Sequence, residues 1–71
     1  MIADVRREIT RVPFAPFSIR TSDGHEYQVP TVDYVYITPR GDRVVVSADD
    51  GGVAILGPLH IAAVVQQHNG V

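Results

Sequence analysis

The stretch Phe14–Val29, FAPFSIRTSDGHEYQV, decides how this chain folds. Two runs with strand-like alternation flank the polar break Ser22-Asp23-Gly24. A break of this kind is typical of a hairpin loop made of a type I turn and one residue in the left-handed region. Glycine suits that last position because it has no Cβ to clash at positive φ. The stretch therefore predicts a β-hairpin.

The register of the hairpin follows from its loop. With Ser22, Asp23 and Gly24 as the loop, Thr21 lies opposite His25, and each step outward pairs the next two residues. The pairing sorts the side chains into an apolar face with Phe17, Ile19, Tyr27 and Val29, and a polar face with Ser18, Arg20, Glu26 and Gln28. A slip of one residue would turn every side chain over, so the sorting favours this register.

The same loop chemistry recurs twice. Gly41 ends the break after Thr38, and Gly51 ends the break after Ala48. Counting outward from each glycine pairs Tyr36 with Val44, Tyr34 with Val46, Val46 with Ala54 and Val44 with Leu56. The predicted strands lie roughly at residues 17–22, 25–29, 34–38, 42–48 and 52–56. Whether 25–29 and 34–38 form one bent strand or two stays open, because Pro30 between them requires an edge, a bulge or a break.

A short helix is predicted over residues 2–12, where Ile2, Val5, Ile9 and Val12 recur every three or four positions. Pro13 ends it, since the residue before a proline is driven out of the α region. A helix of this length is not stable alone in water, so its apolar stripe is expected to dock on the sheet.

Two further segments each have two interpretations. Pro13-Phe14-Ala15-Pro16-Phe17 is either an aromatic recognition surface or, as we favour, a hydrophobic hinge between helix and sheet. Residues 59–65 are either a helix, starting after Pro58 and stopping at Asn69-Gly70, or a strand. We favour the strand because it lets a five-stranded meander close on itself. Residues 66–71 are then expected to be a frayed tail.

Length and composition limit the class of protein. Residues 1–71 make a single domain, and a chain this short buries only about 60% of its unfolded surface. There is no cysteine for a disulfide or a typical zinc site, so self-association is the expected source of added stability. The net charge of −2 provides no overall attraction to nucleic acid. With no long apolar run, neither a signal peptide nor a membrane span is expected, and the predicted location is a bacterial-type cytoplasm.

Val44-Val45-Val46 departs from the alternation of a strand with one wet face. Three valines in a row predict that both faces are dry. Either the N-terminal helix or a second subunit is expected to cover the outer one.

The order of parts resembles a group of short uncharacterised bacterial proteins. The shared features are a leading helix, a PF-x-PF segment, a DG turn, a valine strand and a closing LHI strand, here Pro13–Phe17, Asp23-Gly24, Val29 and Leu59-His60-Ile61. Thr31-Val32 departs from that pattern, in which His-Pro follows the second strand. The architecture is also similar to Sm-like and SH3-like small barrels. The resemblance implies a mainly β fold, a small five-stranded antiparallel meander or barrel with one N-terminal helix.

No catalytic constellation is apparent in the sequence. His25, His60 and His68 lack the spacing of a metal site, and the serines lack a nucleophile motif. The glycines do not follow a phosphate-loop spacing. We therefore predict no enzyme, no cofactor and no metal.

Two functional hypotheses follow. The first is a self-associating interaction module that binds a protein partner. The second is an Sm-like RNA-binding ring, in which arginines contact phosphate and tyrosines stack on bases. The candidate contact residues are Arg6, Arg7, Arg11, Arg40, Arg43, Tyr34 and Tyr36. The plainer interpretation makes these arginines a solvated surface and the tyrosines part of the core.

Overall fold

A computed structural model describes residues 1–66 of the protein. The prediction of a mainly β chain with one N-terminal helix is confirmed. The elements are α1 (Ile2–Ile9), β1 (Phe17–Thr21), β2 (Glu26–Val29), a 3₁₀ helix (Val32–Tyr34), β3 (Val35–Ile37), β4 (Val44–Ser47), β5 (Val53–Leu56) and β6 (Ile61–Gln66). Of the expected tail, only Gln66 is described, and it belongs to β6. His68 and the rest of the tail lie outside the described residues.

The strands form two antiparallel three-stranded sheets, in the orders β2-β1-β6 and β3-β4-β5. The prediction of five strands in a closed barrel is wrong, because six strands are present and no ladder joins the two sheets within residues 1–66. The reason lies after Val29. Pro30 cannot donate to a ladder, and the 3₁₀ helix that follows carries the chain out of the first sheet and into the second.

The hairpin of β1 and β2 has the predicted register. Phe17 pairs with Val29, Ile19 with Tyr27, and Arg20 with Glu26. On the polar face, the Arg20 guanidinium lies 3.2 Å from the Glu26 carboxylate. β6 pairs with the other side of β1, which places β1 at the centre of its sheet. Residues 61–66 are therefore a strand, and it starts two positions after the predicted Leu59.

The hairpin of β3 and β4 differs from the prediction by one residue. Val35 pairs with Val46 and Tyr36 with Val45, so the predicted Tyr36–Val44 pair is wrong. The loop holds four residues instead of three, since the Thr38 N–H bonds the Arg43 carbonyl at 3.0 Å. The Thr38 hydroxyl also donates to Asp42 at 3.2 Å, which keeps that residue in the loop.

The change of register decides which side chains of β3 point inward. Val35 is buried, whereas Tyr36 is exposed. The next hairpin, β4 with β5, has the register counted from Gly51, with Val44 opposite Leu56 and Val46 opposite Ala54.

The core lies between the two sheets and is sealed at one side by α1. Its members come from every strand's inner face and from the helix: Ile2, Val5, Phe17, Ile19, Val29, Val35, Val44, Val46, Leu56 and Ile61. Phe17 and Ile19 of the central strand are fully buried. The apolar face predicted for the first hairpin therefore lies at the middle of the molecule.

The helix is shorter than the predicted 2–12. It ends at Ile9 with Thr10 as its C-cap, whose backbone N–H and hydroxyl both donate to the Arg6 carbonyl, at 3.0 Å and 2.9 Å. Val12 is consequently outside the helix and exposed. The buried Glu8 fastens the helix, since its carboxylate accepts from Gln66 of β6 at 3.2 Å and lies 3.3 Å from Arg11.

In the segment between α1 and β1, the first phenylalanine packs inward, whereas the hinge interpretation stays a prediction. The rings of Phe14 and Phe17 lie 6.1 Å apart, and Phe14 packs against the core. Contact between the two rings joins the end of the linker to the first strand.

The three turn glycines lie in the left-handed region, with φ of 89° at Gly24, 73° at Gly41 and 89° at Gly51. Gly24 isolates the effect of this backbone angle, because a Cβ there would meet no atom within 4 Å. We expect Gly24→Ala to lower the free energy of unfolding by about 1–2 kcal/mol, because an L-residue there must adopt a left-handed backbone. Urea unfolding of the wild type and the variant measures this difference.

Gly57→Ala is the matched control. A Cβ at Gly57 would make only ordinary contacts, 3.7 Å from His60 and 3.9 Å from Arg43, and its φ is not in the left-handed region. We expect a change within about 0.5 kcal/mol. Equal losses in the two variants would contradict the assignment of the cost to φ.

Candidate functional site

The outer face of the β3-β4-β5 sheet is apolar and open. Tyr36, Val45 and Ile55 form one cross-strand row on this face, and Val53 extends it along β5. Tyr36 is 56% exposed, Ile55 67% and Val53 62%. We call these four residues the apolar face. Clustered aliphatic and aromatic side chains on a surface are typical of an interaction site.

The triple-valine strand explains why this face is apolar. Val44 and Val46 point into the core, while Val45 points outward and is half-buried between Tyr36 and Ile55. Helix α1 packs on β6 of the other sheet, so it does not cover Val45. The prediction that the helix covers this face is therefore wrong, and cover by a second subunit stays a prediction.

The other sheet presents a different outer face. Its exposed positions include Arg20, Glu26 and Gln28, and Glu26 accepts hydrogen bonds from both neighbours, at 3.2 Å and 3.0 Å. The bonds from Arg20, Gln28 and Ser18 hold the pKa of Glu26 below its ordinary value. The sheet around β1 thus carries polar side chains bonded to one another together with Val65 of β6, which is 37% exposed, whereas the sheet around β4 carries the apolar face.

The structure disperses the five candidate arginines. Arg7 lies 3.1 Å from Asp4, and Arg11 lies 3.3 Å from Glu8, each paired within the N-terminal segment. Arg43 donates to the Asp42 carbonyl at 2.7 Å and has the carboxylate of the same residue 3.9 Å away. Three of the five therefore have acidic neighbours.

Arg6 and Arg40 are placed differently. The Arg6 guanidinium reaches from α1 to the loop between β3 and β4, where its Nη2 lies 3.5 Å from the position of a Cβ on Gly41. Arg40 precedes Gly41 in that loop. Among residues 1–66, neither arginine has a carboxylate within 4.0 Å. The fold thus brings these two cations to one loop.

The two candidate tyrosines lie in different environments. Tyr36 is on the apolar face, whereas Tyr34 lies in the 3₁₀ helix, packs against the core and donates its hydroxyl to Asp49 at 3.2 Å. That hydrogen bond, and then the negative charge of Asp49, raise the pKa of Tyr34. Tyr34 therefore ties the start of β3 to the loop between β4 and β5.

A cavity of about 310 Å³ lies where the first hairpin loop meets the turn before β6. It is lined by Thr21, Ser22, Asp23, Tyr27, Leu56 and His60. The Thr21 hydroxyl donates to Asp23, which also accepts from the His25 N–H at 3.3 Å. These bonds hold the pKa of Asp23 below its ordinary value, and they stabilise the loop.

The described residues contain neither a cluster of metal-binding side chains nor a helix that could span a membrane. In residues 1–66, no three His, Asp or Glu side chains are grouped closely enough to hold a metal ion. The one α-helix in this range is far too short to cross a membrane.

Sequence reasoning missed Val53 and Ile55 as surface residues. The signal was present in Val53-Ala54-Ile55-Leu56, where residues of both parities are apolar, as in the triple-valine strand. Such a run does not tell which face is inside. The packing of Leu56 in the core decides it and leaves Val53 and Ile55 outside.

Comparison with known proteins found no match: no family model, no curated protein and no solved structure is similar to this chain.

The hydrogen bond between Tyr34 and Asp49 has a measurable consequence. We expect Tyr34 to ionise above the ordinary range of a tyrosine when the pH is raised, because its hydrogen bond to Asp49 raises its folded pKa. The stability it contributes is complete below the unfolded value of about 10 and is lost as the pH rises through the folded value. Tyrosinate absorbance is followed as the pH is raised. The difference between the wild type and Tyr34→Phe gives the ionisation of Tyr34, and the difference for Tyr36→Phe gives that of Tyr36.

Asp49→Ala removes the acceptor and should lower the pKa of Tyr34 toward its ordinary value. Asp50→Ala is the control and should leave the pKa of Tyr34 unchanged. An unchanged titration in Asp49→Ala would show that Asp49 does not control the phenol.

Proposed function

We propose that this protein is a non-enzymatic interaction module that associates with itself and with a protein partner through the apolar face. The carrying observation is the exposure of Tyr36, Val53 and Ile55 on one sheet, beside the half-buried Val45. The outer face of the other sheet supports the proposal by contrast. It carries charged side chains that bond to one another, such as Arg20 and Glu26, and the apolar face carries none.

Energetics support self-association. Burying apolar surface stabilises by roughly 25 cal/mol per Å². A core of ten buried apolar residues is small, and among residues 1–66 there is no cysteine to add a covalent link. An interface on the apolar face would extend the buried hydrocarbon to the outer side of β4, where Val45 is already half-buried.

We further infer an open arrangement related to SH3-like and Sm-like small barrels. The order of the strands supports this inference. The first strand pairs with both the second and the last, and the chain passes from one sheet to the other at a break after Pro30. Such a fold is a scaffold for many functions, so it adds no activity to the proposal.

Self-association predicts a clear effect of charge on the apolar face. We expect the wild type to sediment as an oligomer at micromolar concentration and Ile55→Lys to sediment as a monomer, because a buried ammonium without a partner is strongly unfavourable. Ile55 is exposed in the protomer, so the variant should keep its β-sheet circular dichroism.

Val12→Lys is the matched control, since Val12 is 92% exposed and lies in the linker after α1, outside the apolar face. We expect it to sediment like the wild type. A wild type that stays monomeric at all concentrations would refute self-association.

The second candidate function is RNA binding, and one observation favours it. The Arg6 guanidinium lies beside Gly41, the residue that follows Arg40 in the β3–β4 loop, and among residues 1–66 neither arginine has a carboxylate within 4.0 Å. Arginine suits paired contacts to phosphate oxygens. The net charge of −2 weighs against a large nucleic-acid surface.

RNA binding through these arginines would depend on salt. We expect any complex with a short single-stranded RNA to weaken as salt rises and to weaken further in Arg6→Gln, because each phosphate contact releases counterions. Arg7→Gln is the matched control, since Arg7 is paired with Asp4. A gel-shift series checks this, and absence of binding at low salt would end the RNA hypothesis.

A further inference from the structure

The open edge of β5 presents two residues ready to pair. The Ala48 N–H bonds the Gly52 carbonyl at 2.9 Å, which makes Ala48–Gly52 a hydrogen-bonded pair. Such pairs alternate along an antiparallel ladder, so Ala54 and Leu56 direct their N–H and C=O groups to β4. Val53 and Ile55 direct theirs away from β4, where no strand of residues 1–66 pairs with them.

The other sheet edges carry features that hinder pairing. β2 has the charged Glu26 and is followed by Pro30, and β3 has only three residues. β6 lies against α1, which is fastened to it by the bond between Gln66 and Glu8. Charge, proline, short length and a covering helix are the usual protections of an edge.

β5 has less protection, since it is one residue longer than β3 and its proline, Pro58, lies two residues beyond its end. Its four residues, Val53–Leu56, are uncharged, and glycines flank them at positions 52 and 57. A groove of about 210 Å³ lies between this edge and His25 and Tyr27 of the first hairpin.

We propose that β5 pairs antiparallel with β5 of a second copy of this chain, about a two-fold axis at Ala54. This inference rests on the proposed self-association but places the contact at the edge of β5, where Val53 and Ile55 of the apolar face lie at the seam and Tyr36 and Val45 stay uncovered. In this register Val53 of each copy lies opposite Ile55 of the other, and both are the residues with outward N–H and C=O groups. Four hydrogen bonds form, and the two sheets join into one of six strands. Registers centred on Val53 or Ile55 would use fewer of these groups.

The side chains suit this register. On the outer face, Val53 of one copy packs beside Ile55 of the other, so the apolar faces of the two copies become continuous. On the inner face, Ala54 lies opposite Ala54, and its small side chain leaves room at the axis. Cross-strand pairs of branched side chains are favourable in sheets.

Charge at the two ends of β5 favours a second copy in the antiparallel direction. The loop before β5 carries Asp49 and Asp50, and the Arg43 guanidinium lies beside Gly57 at the other end, with its carbon 3.9 Å from the position of a Cβ. In the proposed register, Gly51 of one copy stands opposite Gly57 of the other. The acidic loop of each copy thus meets the basic end of its neighbour, whereas parallel strands would bring the acidic loops together.

Amide hydrogen exchange, read residue by residue by NMR, tests the pairing directly. We expect the Val53 and Ile55 amides to exchange fast in dilute protein and to become protected at high concentration. The Ala54 and Leu56 amides should be protected at both concentrations, because they bond β4 within the protomer. Oligomers in which Val53 and Ile55 remain unprotected, or in which the protection appears along β6, would overturn the pairing but leave self-association standing. A monomer would overturn both.

Substitutions at one position separate edge pairing from stacking of the apolar faces. Val53→Pro removes an N–H that the protomer does not use, and should raise the dissociation constant of the oligomer by about tenfold or more, since two hydrogen bonds are lost. Val53→Thr keeps the N–H and the shape, and should change it by less than about threefold. The opposite ranking would favour stacking and overturn edge pairing. Unchanged exchange protection in β1 shows that both variants are folded.

A charge exchange tests the direction of pairing. Arg43→Asp and Asp50→Arg should each weaken association, and the double variant should recover it, because the two-fold axis brings residue 43 of one copy to residue 50 of the other. Losses that simply add in the double variant would overturn the antiparallel arrangement.

Discussion

The structure depends on burial of β1 at the centre of its sheet. Phe17 and Ile19 are fully buried, and the strand pairs with β2 on one side and β6 on the other. Because β6 is the last strand of residues 1–66 and β1 the first, their pairing brings the two ends of the described sheet structure together. Helix α1 then docks on β6, where Glu8 accepts from Gln66. Loss of the buried side chains of β1 would open the core cluster, to which the helix, the first hairpin and the second sheet all contribute residues.

The two sheets share one core but treat their outer faces differently. The outer face of the sheet around β1 carries paired polar groups, such as Arg20 and Glu26, which bond to each other at the surface. The sheet around β4 shows Tyr36 and Ile55 to solvent. A chain that buries only a small core gains stability by covering such a face. This asymmetry connects the packing of the protein to the interaction we propose for it.

Sequence reasoning named Tyr36 and the triple-valine strand but missed Val53 and Ile55, and what it missed has a physical cause. The pairs Arg7–Asp4 and Arg11–Glu8 follow from three-residue spacing along a helical segment. The position of Tyr36 was lost with the register of its hairpin, because Thr38 holds Asp42 in the loop and adds one residue to it. The approach of Arg6 to Gly41 joins residues 35 positions apart, and no local pattern announces it.

The sequence by itself determined where the three turns lie and how the faces of the first hairpin pair, whereas it left helix or strand open for the last segment. Each depends on neighbours in the chain: a glycine that accepts positive φ, an alternation that sorts side chains, a proline that stops a ladder. Only the tertiary structure decided that residues 26–29 and 35–37 belong to different sheets, and which side of β5 faces the core. Those outcomes depend on how the sheets pack. An apolar run such as Val53–Leu56 suits either orientation, and the burial of Leu56 in the core selects one of them.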